Sequence, residues 1–374
     1  GVGHEDAKGG RLWSNYTWHG DQAPGMPFVH GLQAADVDFN DLRFSKLTIQ
    51  IGKNLVENKM AESHFFIETM ERGGTIVTIT PEYSPPATKA DYWIPIRPGT
   101  DAALFLGITR LMIDRGQYDA EFVRRFTDLQ MLIRQDTGRR LHAAEIIAGY
   151  PHGLIADGPS FARQGLTRAQ YERLGDFVVR DERSGQLVPI TRDMVGDAMG
   201  AAGITPTLDW IGRARLVDGS EVPVSTVWSA YLVHLRDYDL DATAEMTGSP
   251  RSLIERLATD IARIKPASAH IGEGVNHWFH ATLANRAIHL PFMLTGNIGK
   301  PGAGVYTWAG NYKSALFQGH PESGPGFKGW IAEDPFEPNQ DAAVSGTDIS
   351  AHLYGYGEEP AYWNHGDLPL IVNT

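Results

Sequence analysis

The 374-residue sequence contains no cysteine, which excludes disulfides, thiolate metal sites and a cysteine nucleophile within it, and leaves the redox compartment undetermined. It also lacks an apolar run approaching the roughly 18 residues of a membrane-crossing helix. The best candidate, Ala287 to Leu294, is short and holds His289 and Pro291. No Lys/Arg run is long enough to offset a formal charge of −12. That balance repels nucleic-acid phosphate and anionic lipid, so neither nucleic acid nor a bilayer is an expected partner. An initiator Met and a charged, apolar leader are missing too, so no targeting signal can be read. The far end stops at Asn373-Thr374, just after an expected buried strand from Leu368 to Val372. A parallel strand without its covering helix leaves one sheet face wet, and the chain is expected to be a fragment cut at both ends.

What is present, 42% hydrophobic and 21% charged residues, is the composition of an ordinary globular protein with enough apolar material for a sizeable core. The length suits about two domains. Residues 1–44 are rich in Gly, Asp, His and Trp and show little periodicity, as a loop-dominated segment would. From Leu47 the pattern changes. Leu47 to Ile51 reads as a strand ending at Gly52, Met60 to Arg72 as a helix closed by Gly73-Gly74, and Thr75 to Thr80 as a second buried strand. A short helix over Ser84 to Ala90 and a strand over Tyr92 to Ile96 follow. Thr100 or Asp101 then caps a helix with Ala103, Leu104, Ile108, Leu111 and Met112 at helical spacing, and Asp119 caps another that runs to about Phe126.

Strand alternating with helix is the signature of an α/β fold with a doubly wound, mostly parallel sheet. Between about 135 and 235 the alternation fades into a polar, Arg-rich and Gly-rich insertion. Order returns at Ser249-Pro250, read as an N-cap with proline at the first helical position. A stripe of Leu253, Ile254, Leu257, Ile261 and Ile264, a strand from Ala267 to Ile271, a turn over Gly272 to Gly274 and a helix from Trp278 to Leu294 complete the pattern. Residues 45–312 are thus expected to form one α/β domain with that insertion. Residues 313–374 should lead irregularly into the first strand of a second, truncated α/β domain.

In open parallel sheets ligands bind beyond the carboxyl ends of the strands. The residues at those places are Gly52-Lys53-Asn54, Thr80-Pro81-Glu82-Tyr83-Ser84, Pro98-Gly99-Thr100-Asp101 and Gly272-Glu273-Gly274-Val275-Asn276. Glycine admits close backbone approach, while Ser, Thr and Asn offer hydrogen bonds, so a large nucleotide-like ligand suits them. Asp101 can accept two parallel hydrogen bonds from a guanine edge, which adenine cannot supply; it can equally be a plain helix cap. Gly272 to Gly274 is either part of such a site or a tight strand-to-helix connection. It is not a dinucleotide fingerprint, because Asn276 and His277 follow, and Gly296 to Lys300 is not a phosphate loop, because Pro301 follows.

Together Gly52-Lys53-Asn54, TIVTITPEYSPPATKADYWIPIRPGTDAA from Thr75 and LTGNIGKPGAG from Leu294 resemble the molybdopterin oxidoreductases of the dimethyl sulfoxide reductase family. GVNHWFH at Gly274 to His280 and WAGNYK at Trp308 to Lys313 are similar to its nitrate reductase and nitrite oxidoreductase branch. The opening RLWSNYTWHGDQAPGMPFVHGLQ resembles the nitrite-oxidising members. The resemblance implies oxidation of nitrite to nitrate by oxygen-atom transfer at a molybdenum bis(molybdopterin guanine dinucleotide) centre, or the reverse reaction as a respiratory nitrate reductase. It further implies Asp21 as the metal ligand, a hard oxygen donor for a hard metal. Trp18, His19 and Tyr16 become candidates for a substrate channel, and His277 and Asn276 for pterin or oxyanion contact, beside packing or capping roles. Gly52, Lys53, Asn54, Thr80 to Ser84, Gly99 to Asp101 and Gly272 to Gly274 would hold one dinucleotide. A 4Fe-4S cluster upstream, an iron-sulfur beta subunit, a membrane or haem subunit and a periplasmic location, with the cytoplasmic face as alternative, are implied for the parent protein. From another class, a non-catalytic nucleotide-binding α/β module accounts for the strand-end loops alone.

Overall fold

The computed structural model describes residues 39–58, 63–150, 177–190, 194, 196–276, 278 and 280–306. The expected loop-rich opening up to residue 38 and the expected second domain beyond 312 lie outside these residues. Among them, one compact unit draws on the chain up to Thr109, on Leu240–Phe292 and on the chain from Asn297; a second draws on Arg110–Asp239 and Met293–Gly296.

The first unit is built on a five-stranded parallel sheet. Its strands are β1 (Leu47–Ile51), β2 (Thr75–Ile79), β3 (Tyr92–Ile94), β9 (Ala267–Ile271) and β10 (Gly304–Tyr306), in the order β10-β9-β1-β2-β3. β1 lies in register with both neighbours, Ile49 facing Val77 on one side and Ala269 on the other. The two faces differ in chemistry. On one, Leu47, Ile49, Ile51, Val77, Ile79, Ile94, Ala269 and Ile271 form a buried apolar surface. Tyr92 shares that face, and its hydroxyl donates to Asp260 at 2.9 Å. This bond sets helix α4 (Arg251–Arg263) against the face, with its stripe of Ile254, Leu257, Ala258 and Ile261 buried. On the other face Ile76 packs with Leu42, Leu55 and Phe66, the last on helix α1 (Ser63–Glu71). Helices on both faces bury the strands throughout, so the sheet is doubly wound as expected.

The second face also carries buried polar residues. Thr48, Gln50, Thr78, Ser268 and His270 stand there in adjacent rows, Gln50 between Thr78 and His270. Ser45 and Ser268 share a hydrogen bond at 3.0 Å, and Gln50 Oε1 accepts from Leu55 N–H at 3.4 Å. Gln50 Nε2 and the hydroxyls of Thr48 and Thr78 find no hydrogen-bond partner among the described residues.

Two expectations shift here. Helix α4 is capped by Pro250, and the Ser249 hydroxyl instead donates to Pro95 O at 2.7 Å, tying β3's exit to the helix start. The helix expected from Trp278 begins at Ala281, as α5 (Ala281–Leu294). The second unit holds helix α3 (Ala120–Phe126), with Asp119 capping it as expected by accepting from Phe122 N–H. It also contains two antiparallel sheets, β4 (Leu132–Arg134), β8 (Glu221–Thr226) and β7 (Ile211–Arg215) in one, β5 (Phe177–Arg180) and β6 (Leu187–Ile190) in the other. The stretch read as a polar insertion holds, in its described residues, β5 to β8, and they share a core of Leu132, Leu141, Val178 and Val224.

Removing an unanswered buried hydroxyl while keeping its shape recovers desolvation free energy. Thr78→Val is accordingly expected to stabilise the chain by about 1 kcal/mol. Urea unfolding checks it, and a lowered midpoint would mean that this hydroxyl has a partner.

Candidate functional site

The candidate site is the carboxyl edge of the parallel sheet. After β1, Gly52 takes φ +55 and its N–H donates to Ile79 O at 3.0 Å, continuing the ladder. After β9, Gly272 N–H donates to Ile51 O at 2.8 Å and Gly274 N–H to Gly52 O at 3.1 Å. A Cβ on Gly272 would stand 2.7 Å from Lys53 Cα and closer still to Gly52 O, while one on Gly274 would reach Gly52 Cα at 3.0 Å. The two loops are pressed backbone to backbone, and only glycine permits it. The three glycines thus set the relative height of the loops that any ligand meets.

Several expected ligand residues are occupied within the fold. Asn54 caps the short helix Leu55–Asn58: its Oδ1 accepts from Glu57 N–H at 3.3 Å and its amide donates to the Glu57 carboxylate. The Thr80 hydroxyl donates to Glu82 O at 2.6 Å, and the Trp93 indole donates to Thr80 O at 3.0 Å. Asn276 donates to Gly272 O at 3.0 Å and accepts from Asn285 at 2.9 Å, fastening the turn after β9 to helix α5. Lys53 and Glu273 are partly buried, and burial of His270, helped by the nearby Lys53 charge, holds His270 well below its ordinary pKa. Pro81, Glu82 and Tyr83 are exposed, Tyr83 with its ring set edge-on to Trp93 at 5.4 Å. Asp21, Trp18, His19, Tyr16 and His277 lie outside the described residues.

Two strand-end side chains, Ser84 and Asp101, are unanswered among the described residues. The Ser84 hydroxyl is buried and has no partner among the described residues. After β3 the chain is anchored firmly: Arg97 N–H donates to Thr247 O at 2.8 Å, its guanidinium bonds the carbonyls of Met246 and Glu245, and the Thr100 hydroxyl closes on Arg97 O at 2.7 Å. This anchored loop delivers Asp101 to the first position of helix α2 (Asp101–Asp114), 6% exposed. Burial pushes its pKa up to about 6, and its own backbone N–H gives the one opposing bond. A buried carboxylate is ordinarily paired or bonded. Here nothing in the described structure does so beyond the backbone.

Two residues of this edge escaped the sequence reading. Trp278 donates its indole N–H to Gly274 O at 2.9 Å and lays its ring on Gly99, where a Cβ would stand 3.1 Å from the ring. Asn285 is buried, and its Oδ1 has no partner among the described residues. Its signal was available: an asparagine on the buried side of an apolar helix requires hydrogen bonds.

The sheet order and the opposed loops after β1 and β9 define an open α/β domain whose carboxyl edge is the place where such sheets take their ligands. Residues 7–354 match the family model described as molybdopterin oxidoreductase, and the chain belongs to that family. It is 30% identical over 326 residues to the perchlorate reductase subunit alpha of Dechloromonas aromatica, covering 85% of this chain and 34% of that protein. It is 30% identical over 316 residues to the respiratory nitrate reductase subunit alpha of Haloferax mediterranei, covering 83% and 30%. Acetylene hydratase from Pelobacter acetylenicus is similar in structure with a TM-score of 0.44 at 20% identity, over 75% of this chain and 25% of that one. The chain therefore spans about a third of the length of the curated relatives it matches. Family membership implies a molybdenum-molybdopterin cofactor. The buried acceptors of Asp101 and Asn285 and the Ser84 hydroxyl fit a nucleotide-bearing group, whereas no cluster of three or more metal-ligating side chains occurs among the described residues.

Because the Asp101 pKa is raised from 3.8 to about 6, the folded chain holds a proton there that the unfolded chain has released between those values. The destabilisation is absent below pH 3.8 and complete above about pH 6. Asp101→Asn should stabilise the cofactor-free chain at pH 7 by about 1–3 kcal/mol. That gain should vanish toward the acid end of the window. Denaturant unfolding of both forms across this range checks it, and a gain that does not change with pH contradicts it.

Proposed function

We propose that the protein to which this chain belongs interconverts nitrite and nitrate at a molybdenum bis(molybdopterin guanine dinucleotide) centre, with nitrite oxidation as its working direction. The observation that carries the reading is Asp101: a buried carboxylate with no side-chain partner among the described residues, held at the carboxyl edge of the sheet. A guanine edge presents two parallel N–H donors to such a group. Ser84 and Asn285 add unanswered polar atoms, and Gly52, Gly272 and Gly274 fix the loops around them.

When bound, the cofactor supplies the two-electron redox chemistry, and the protein's share is binding, orientation and electrostatics. Nitrite and water give nitrate, two protons and two electrons; an iron-sulfur cluster of the parent protein and an iron-sulfur partner subunit would take up those electrons. Asp21 would hold the metal by its carboxylate, Trp18 and His19 would line the approach, and His277 would contact the oxyanion. The Lys53 side chain adds positive charge near the carboxyl edge, which suits an anionic cofactor. The nitrite-specific reading is supported by the opening segment around Asp21. The reverse direction is supported by the likeness to the respiratory nitrate reductase subunit named above.

The test uses the full-length protein with its partner subunits, adsorbed on an electrode and given each anion in turn. A catalytic oxidation current with nitrite exceeding the reduction current with nitrate is expected, and a current with nitrate alone assigns the reverse direction. Asp21→Ala should abolish both currents with the circular dichroism spectrum unchanged. Undiminished turnover in that variant refutes the metal assignment, and a wild-type protein without molybdenum refutes the enzyme reading altogether.

A further inference from the structure

We propose that Trp278 is a binding residue whose open ring face stacks the planar base that Asp101 reads by its edge. The proposal rests on the reading of Asp101 given above, and adds to it the group that holds the base flat.

Trp278 is fixed in three ways. Its backbone follows the short helix Glu273–Asn276 at the end of β9, its indole N–H is held by Gly274 O at 2.9 Å, and one face of its six-membered ring lies on the Gly99 backbone. Gly99 has φ +79 and meets the ring where a Cβ would stand 3.1 Å from both Cδ2 and Cε3. Glycine is required there twice over, by the backbone angle and by the ring. Yet the side chain remains 47% exposed. A tryptophan that serves only as packing buries both faces, and one that serves only as surface has no reason to be locked. An immobilised ring that stays about half exposed is a preorganised platform, for which little side-chain entropy remains to be lost on binding.

The platform stands beside the reader. Gly99 and Asp101 are two residues apart, so their Cα atoms are no more than about 7 Å apart, a span that a two-ring base bridges. Trp278 also joins the loop after β9 to the loop after β3, since Gly274 and Gly99 belong to one each. The indole thus packs on the same loop that carries Asp101 two residues further on, and we assign the base to the space between them. The two residues divide the work. Stacking on an aromatic ring tolerates any base, because every base has a π face, and contributes about five- to a hundredfold in affinity. The carboxylate discriminates, because only guanine offers it an N–H and an amino group side by side.

That division makes the roles separable by experiment. The full chain, prepared without cofactor, is titrated calorimetrically with GDP and with ADP as wild type, Trp278→Phe, Trp278→Leu and Asp101→Asn. Trp278→Leu should weaken both nucleotides about tenfold, a loss near 1.4 kcal/mol. Trp278→Phe, which keeps a ring but loses the N–H, should stay within about threefold of wild type. Asp101→Asn should lose the preference for GDP and leave ADP unchanged. Thermal midpoints of the two Trp278 variants control for the loop clasp: both lose the bond to Gly274, so equal midpoints with unequal nucleotide affinity identify stacking. If Trp278→Leu binds both nucleotides as wild type does while Asp101→Asn loses its preference, the platform is refuted and the Asp101 reading survives. If Trp278→Leu weakens both and Asp101→Asn changes nothing, the ring is upheld as a platform and the guanine reading of Asp101 falls. A wild type that binds neither nucleotide overturns both.

Discussion

A carboxylate withdrawn from water without a counter-charge works against folding, and Asp101 has none among the described residues. The surrounding structure explains how it is retained. The residue opens a fourteen-residue helix, whose N-terminal dipole favours negative charge. The loop before it is tied to the 246–249 segment through Arg97 and Ser249, so the side chain cannot easily swing outward. Neither device removes the desolvation, which is why the pKa still rises. Local rules are commonly broken at functional sites, and the proposed role of Asp101 as an acceptor for an incoming donor makes this such a break.

The sheet places this acceptor. β1 sits between β2 and β9, and the chain leaves β1 and β9 by adjacent loops, the arrangement that opens a crevice at the carboxyl edge of a doubly wound sheet. The height of that edge is set by the contact of Gly52 with Gly272 and Gly274, where backbone meets backbone at van der Waals distance. Trp278 then reaches across from one loop to the next. The glycines are thus structural, and their effect on a ligand is indirect: they hold fixed the loops that carry Ser84, Asp101 and Trp278.

Much of this was legible in the sequence. β1, β2 and β9 were read with correct or nearly correct ends, because five-residue runs closed by Gly or Pro have few alternatives. The helix over Asp101–Asp114 and the Asp119 cap were equally plain. What was missed depended on distant partners. β10 is only three residues long and begins with Gly304, so nothing local marks it. The ladder of β7 with β8 was hidden because Ile211–Arg215 is largely exposed and reads as polar and glycine-containing. At the candidate site, residue type pointed to the carboxyl edge but did not show which polar side chains the fold itself uses. Asn54 and Asn276 are polar strand-end residues, as a ligand site would have, yet their amides are consumed by Glu57 and by Gly272 and Asn285. Trp278 passed for the first residue of a helix, because its contact with Gly99 spans 179 positions and no periodicity records it.

The central claim, that Asp101 is the acceptor for a guanine, meets its most direct test in the nucleotide carried by the full-length protein as purified. Mild acid hydrolysis followed by chromatography of the released nucleotides is predicted to yield GMP from the wild type and markedly less from Asp101→Asn. A wild type that releases AMP or CMP, or an Asp101→Asn variant with an undiminished yield of GMP, would contradict it.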